Sequence, residues 1–168
     1  CQNLQVEGVM KATTAGKGIS YLRQVLSKAA NYTLSRAESG AIVTGNAAAG
    51  MTITLPTAEV GLTYDIHVGT TITSNAFIIN TDGTDTFQGQ LITNDFNDLG
   101  SITLLNEAVP TVGFDQPSAA DNQISMNGTT TGGKLGSYVR CTAISDAIWF
   151  VDGFLSGDGD LATCFATQ

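Results

Sequence analysis

Residues 51–68 read MTITLPTAEVGLTYDIHV, and this stretch carries the clearest structural pattern in the chain. Its first part alternates apolar side chains with threonine and ends at Pro56, and its last part, residues 63–68, alternates in the same way. A period of two is that of a strand with one buried face. Proline ends such a strand because it has no backbone N–H for the ladder. The stretch therefore predicts two strands joined by a turn.

Short segments of the same kind recur on both sides of this stretch and are separated by turn residues such as Asp82-Gly83. The further predicted strands are residues 76–80, 90–93, 101–106, 138–144 and 147–151, and residues 108–134 are predicted to be a loop. The chain also contains 23 threonines and 19 glycines among its 168 residues, a bias towards strands and turns. Together these features predict an all-β protein, a single β-sandwich or jelly-roll-like barrel. Its core is expected to contain Leu55, Tyr64, Ile66, Ile79 and Trp149.

The first 30 residues are predicted to form an extended basic arm, and residues 31–168 the sandwich domain. Within the arm, residues 19–30 fit either a short helix or a strand, because their apolar side chains satisfy both spacings. Residues 1–36 hold five basic residues and one acid, a net charge of +4, whereas the remainder carries −12, which gives −8 overall. The charge split suggests a docking arm on an acidic body, or simply a solvated cluster of charges. The acidic body argues against nucleic acid as a partner, and no apolar run approaches the ~18 residues of a membrane span.

Several motifs follow one another in a recognisable order. They are YTL at residues 32–34, ESG at 38–40, MTITLP at 51–56, GLTYDIHV at 61–68, AFIIN with TDGTDTFQG at 76–89, and IWFVDGFLSG at 148–157. This order resembles that of small β-rich virion proteins of tailed bacteriophages, which include head decoration (cement) proteins and fibre domains. The resemblance implies a structural protein without enzymatic activity that binds the outer surface of the phage head and stabilises it. It also implies the major capsid protein as partner, self-association as a trimer, and a location on the virion, extracellular after release.

The basic arm supplies the candidate capsid-docking residues, which are Lys11, Lys17, Arg23 and Lys28. Two alternatives remain open. In the first, the chain is the receptor-binding knob of a head or tail fibre, and residues 94–134 contact a host glycan or surface protein. In the second, it is an extracellular filament subunit or a surface lipoprotein. In the last case Cys1 would carry a lipid, or the N-terminal segment would add a strand to a neighbour's sheet.

Few residues point to catalysis. His67 is the only histidine, and it lies on the polar face of a predicted strand with no nucleophile motif beside it. Lys134 is surrounded by glycines, but their spacing is not that of a phosphate-binding loop. No enzymatic activity and no cofactor are therefore predicted.

Two acidic clusters and two cysteines have more than one interpretation. Asp152, Asp158 and Asp160 are calcium-site candidates, as are Asp82 and Asp85, although aspartates at such positions also form turns. Cys141 and Cys164 either pair or act as small buried apolar residues.

Overall fold

The alternating segments form strands in two β-sheets that pack together, which confirms the predicted all-β sandwich. The computed structural model of the chain describes residues 10–11, 20–95 and 112–168. Among those residues the only helical segment is one 3-10 turn, Arg36–Glu38. The same residues include no helix with the length and apolar character needed to span a membrane.

The strands are numbered in chain order. They are β1 (Met10–Lys11), β2 (Ser20–Tyr21), β3 (Val25–Lys28), β4 (Tyr32–Thr33), β5 (Ile42–Gly45), β6 (Met51–Thr54), β7 (Thr63–Val68), β8 (Phe77–Asn80), β9 (Thr86–Asp95), β10 (Val112–Asp115), β11 (Gln123–Met126), β12 (Tyr138–Ser145), β13 (Ile148–Gly157) and β14 (Phe165–Ala166). β1 and β2 form a small separate sheet. The larger sheet of the sandwich has the order β10-β9-β13-β12-β7-β5-β3, and the smaller has the order β14-β11-β8-β6-β4.

From β3 to β8 the chain passes to the opposite sheet at every strand. As a result β3, β5 and β7 are parallel neighbours in the larger sheet, and β4, β6 and β8 are parallel neighbours in the smaller one. A strand of the opposite sheet therefore makes the crossover that a helix usually makes between parallel strands. The later pairs are antiparallel, apart from β9 with β13. This pairing differs from the antiparallel order of a jelly roll.

The apolar side chains predicted to fill the core lie between the two sheets. Leu55, Tyr64, Ile66, Ile79 and Trp149 are each at most 1% exposed. The rings of Tyr64 and Trp149 lie 5.8 Å apart between centroids. The Tyr64 hydroxyl donates a hydrogen bond to the carbonyl of Ser35 at 2.9 Å. Burial raises the pKa of Tyr64 to about 12, so the hydroxyl remains a donor at all ordinary pH values.

The segment that fitted either a helix or a strand contains a strand. β3 forms one edge of the larger sheet, parallel to β5, and Leu26 points into the core. The sandwich thus begins within the range assigned to the arm. Most of the predicted arm, residues 1–9 and 12–19, lies outside the described residues, as does the strand predicted at residues 101–106.

The loop predicted over residues 108–134 was wrong in part, because β10 and β11 lie there. β11 has the alternation of a half-buried strand, with Ile124 and Met126 buried against the core. At four residues it is short, and turn-forming residues flank it on both sides. Its pattern is therefore weak in the sequence, and its pairing with β8 and β14 is what stabilises it.

Candidate binding surface

The outer face of the larger sheet carries a continuous row of apolar and aromatic side chains. Strand register aligns Phe114 of β10 with Ile92 of β9, and Phe154 of β13 with Tyr138 of β12 and His67 of β7. Ile92 and Phe154 are paired as well, so the five side chains form one row across the sheet. Phe114 is 67% exposed and Tyr138 is 37% exposed. We call this the apolar row.

His67 lies where the sequence predicted, on the outward face of β7 between buried Ile66 and Val68. Its imidazole stacks on the ring of Tyr138, with 5.7 Å between centroids and 23° between planes. The two rings make a paired aromatic platform in the middle of the sheet face.

A second row of polar side chains runs beside the apolar row. Gln90 of β9, Asp152 of β13, Arg140 of β12 and Asp65 of β7 are aligned by the same register. We call this the polar row. Charges of opposite sign alternate along it, since Arg140 stands between two aspartates.

Asp65 joins two arginines that are distant in the sequence. Its carboxylate accepts a hydrogen bond from Arg140 Nε at 2.8 Å and forms an ion pair with Arg23 Nη1. Arg23 also donates to the carbonyls of Gly40 at 2.6 Å and of Ala41 at 3.2 Å. Arg23 therefore fastens the segment before β3 to the sheet.

The charge state of this cluster follows from its contacts. Burial alone would raise the pKa of Asp65, but hydrogen bonds from Arg140 and Arg23 outweigh it and hold the pKa below its ordinary value. The same contact raises the pKa of Arg140. Asp65 and Arg140 are therefore both charged at neutral pH.

We expect this cluster to make stability depend on acid pH. Because the folded-state pKa of Asp65 lies below the unfolded value of about 3.9, its carboxylate stabilises the fold above about pH 4. This contribution is lost as the pH falls through the folded-state pKa. Asp65→Asn should lower the free energy of unfolding by about 1–3 kcal/mol at pH 7, and the difference from wild type should shrink below pH 4.

Urea unfolding between pH 2.5 and 7 measures this dependence. The control is Asp152→Asn, in the same row but exposed; an Asp65→Asn difference that does not vary with pH would contradict the assignment.

A shallow depression of about 550 Å³ lies between these features. Its lining residues are Gln90, Ile92, Tyr138, Arg140, Phe150, Val151, Asp152 and Gly153. Phe150, 41% exposed, stands on the side opposite the apolar row. The depression thus has aromatic side chains at two borders and polar side chains between them. The sequence predicted β12 and β13, whose outward residues make most of this site, but it gave no sign of the pairing between β9 and β13 that completes it.

Two of the four candidate docking residues, Arg23 and Lys28, have separate partners within the sandwich. Arg23 belongs to the Asp65 cluster, and Lys28 Nζ lies over the Tyr32 ring, 3.4 Å from its centroid. Lys11 belongs to β1, which pairs with β2, and Lys17 lies outside the described residues.

The calcium candidates at the C-terminal end have different surroundings. Asp152 belongs to the polar row, Asp158 pairs with Lys134 at 2.8 Å, and Asp160 is exposed. In the part of the chain that the structure describes, no three His, Cys, Asp or Glu side chains are grouped so that they could hold a metal ion. Lys134, the lysine surrounded by glycines in the sequence, thus forms an ion pair within the chain.

Asp82 and Asp85 organise a turn. Asp82 accepts hydrogen bonds from the backbone N–H of Thr84 at 2.9 Å and from the hydroxyl of Thr57 at 2.7 Å. These bonds overcome the effect of partial burial and lower the pKa of Asp82 to about 2. Asp85 accepts from the Ala58 N–H at 2.6 Å, and burial raises its pKa. Asp82 therefore has the turn-forming role that the sequence offered as the alternative, whereas the Asp85 carboxylate links this turn to the segment between β6 and β7.

Cys141 and Cys164 are buried free thiols and are not joined to each other. Burial raises the pKa of both, and the nearby Asp115 raises that of Cys164 further. Of the two interpretations, the structure supports the second, in which Cys141 and Cys164 are small buried apolar residues.

Comparison with protein-family models, with curated proteins and with solved structures found no match for this chain.

Proposed function

We propose that this chain is a virion structural protein without enzymatic activity, a decoration protein that binds the outer surface of a tailed-phage head and stabilises it. The single observation that carries the proposal is the ordered series of motifs from residues 32–34 to residues 148–157, which resembles that of such proteins. In this chain the motifs 51–56, 61–68 and 148–157 contain β6, β7 and β13. They are the scaffold of the sandwich, so the resemblance extends over the residues that determine the fold.

The charge distribution supports a mechanism in which the arm docks. The first 36 residues carry +4 and the rest of the chain −12. Arg23 and Lys28 have partners within the sandwich, Asp65 and the Tyr32 ring. In the proposed mechanism these two residues hold the base of the arm on the sandwich. Lys11 and Lys17 then supply the charge that meets an acidic capsid shell.

The remaining parts of the proposal concern assembly and location. The partner is the major capsid protein, and the chain binds as a homotrimer at three-fold positions on the head. The protein is then located on the virion surface and is extracellular after release. Three chains of 17.4 kDa make a particle that light scattering distinguishes from a monomer.

We expect removal of the two arm lysine charges to weaken head binding. Lys11→Gln combined with Lys17→Gln should raise the dissociation constant for expanded heads about twofold to thirtyfold, because two exposed ion pairs are lost. The effect should fade with added salt. Cosedimentation with purified heads at 50 and 300 mM salt measures it.

The matched control changes the net charge equally at another place. Gln116→Glu with Ala119→Glu also lowers the net charge by two, in an exposed loop of the body. This control should bind nearly as wild type does. If the two double variants lose the same affinity, general repulsion explains the result and the arm has no docking role.

A further inference from the structure

We propose that the depression on the outer face of the larger sheet binds a neutral saccharide. The inference does not rest on the decoration function, because it concerns a different surface from the arm. It rests on the side chains that border the depression, on those between its borders, and on the balance of charge there.

Aromatic side chains stand at two borders of the depression. Tyr138 lies on one side, held in place by its stack on His67, and Phe150 lies on the other. Both are more than a third exposed, with 37% and 41% of their surface accessible. A sugar ring has an apolar face of C–H groups, and an exposed aromatic ring is a flat apolar surface on which that face can pack.

The polar side chains offer every type of hydrogen bond that a sugar needs. Arg140 uses Nε for Asp65, and its two Nη nitrogens are further donors. Asp152 is an acceptor, and the Gln90 amide is both donor and acceptor. A sugar hydroxyl donates and accepts at once, so neighbouring hydroxyls match this mixture. The side chains project from paired strands, which lowers the entropy cost of binding.

Charge selects the kind of saccharide. Asp65 and Asp152 balance Arg140 and Arg23, so this cluster of four is neutral. The body around it carries a net charge of −12 over residues 37–168. An anionic sugar would be repelled by that field and would meet no unbalanced cation, whereas a neutral sugar would meet neither obstacle.

A second copy of the chain is the main competing occupant. A protein partner that covered this face would take Arg140 and Asp152 out of water, and each would need a partner of good geometry. When a saccharide binds, its hydroxyls replace the hydrogen bonds that these side chains make to water, so most of that cost is avoided. The mixture of aromatic and polar groups therefore favours the saccharide.

The test is titration of the full chain with a panel of neutral oligosaccharides, followed by NMR chemical shifts and calorimetry. The panel contains gluco-, galacto-, manno-, fucosyl- and N-acetylglucosamine oligomers. At least one member should bind and shift the signals of Tyr138 and Phe150. Tyr138→Ala should weaken that binding at least about tenfold, and Tyr138→Phe should restore most of it because it keeps the ring.

The control is Phe114→Ala, which removes an exposed aromatic side chain of the same sheet that does not line the depression. Its affinity should stay within about twofold of wild type, and thermal unfolding should show all variants folded. The proposal is overturned if no panel member binds, or if Tyr138→Ala binds as well as wild type. It is also overturned if the NMR signals of Tyr138 and Phe150 shift only with protein concentration, because that result would mean that a second copy of the chain covers this face.

Discussion

Replacing Trp149 by alanine should lower the free energy of unfolding by about 3–5 kcal/mol, the largest loss we expect from any single substitution in this chain. Trp149 is fully buried, and its ring lies 5.8 Å from that of Tyr64 between centroids. Truncation removes the transfer free energy of the indole and leaves a cavity between two sheets that strand pairing holds in place. Among the described residues the indole N–H has no partner within hydrogen-bond geometry, and its proximity to Asp85 opposes but does not reverse the rise that burial causes in that carboxyl's pKa. The loss therefore comes almost entirely from packing.

The neighbouring residue provides the control for this prediction. Phe150 is adjacent to Trp149 in β13 but points to the opposite face and is 41% exposed. Phe150→Ala should cost less than about 1 kcal/mol in the same urea unfolding experiment. Equal losses for the two substitutions would mean that the faces of β13 are assigned incorrectly.

Gly45→Ala should also be strongly destabilising, with a loss of about 3 kcal/mol, at the upper end of what overpacking costs. Gly45 lies in β5 of the larger sheet, and a Cβ there would overlap the ring of Phe77. Phe77 belongs to β8 of the smaller sheet and is fully buried, so the ring has no open space to enter. Gly45 is thus a point of closest approach between the sheets, where even one methyl group is too large.

A double variant and a second glycine make this prediction specific. Phe77→Leu introduced together with Gly45→Ala should recover part of the lost stability, because it removes the ring that the methyl group meets. Gly113→Ala is the control, since a Cβ there would have only ordinary contacts and the residue is likewise in a strand. Thermal unfolding of the four proteins decides the matter. A Gly113→Ala loss equal to that of Gly45→Ala would show that the cost comes from glycine replacement in general.

The sequence predicted those strands that are marked by a local pattern, and it missed those that depend on pairing with distant strands. Residues 51–68 predicted two strands because alternation and a terminal proline are local properties. The same alternation placed Trp149 in the core. Ile42–Gly45, now β5, was not predicted, because its four residues end in glycine and show little alternation. It forms a strand because neighbours on both sides pair with it.

The candidate site was much less predictable than the core. Alternation indicated that Asp65 faces outward, but its partners Arg23 and Arg140 lie 42 and 75 residues away in the chain. The two rows depend on register across strands from distant parts of the sequence, and β9 pairs with β13 across about 60 residues. Register of that kind is set by packing against the other sheet and leaves no mark in either strand alone.

Electron cryomicroscopy of the native phage particle distinguishes a head decoration protein from a fibre protein. A decoration protein should give density for the sandwich on the outside of the head, at three-fold positions, with the segment preceding β3 directed at the capsid shell. Density for the chain at a tail or fibre tip, with none on the head, would contradict the proposed function.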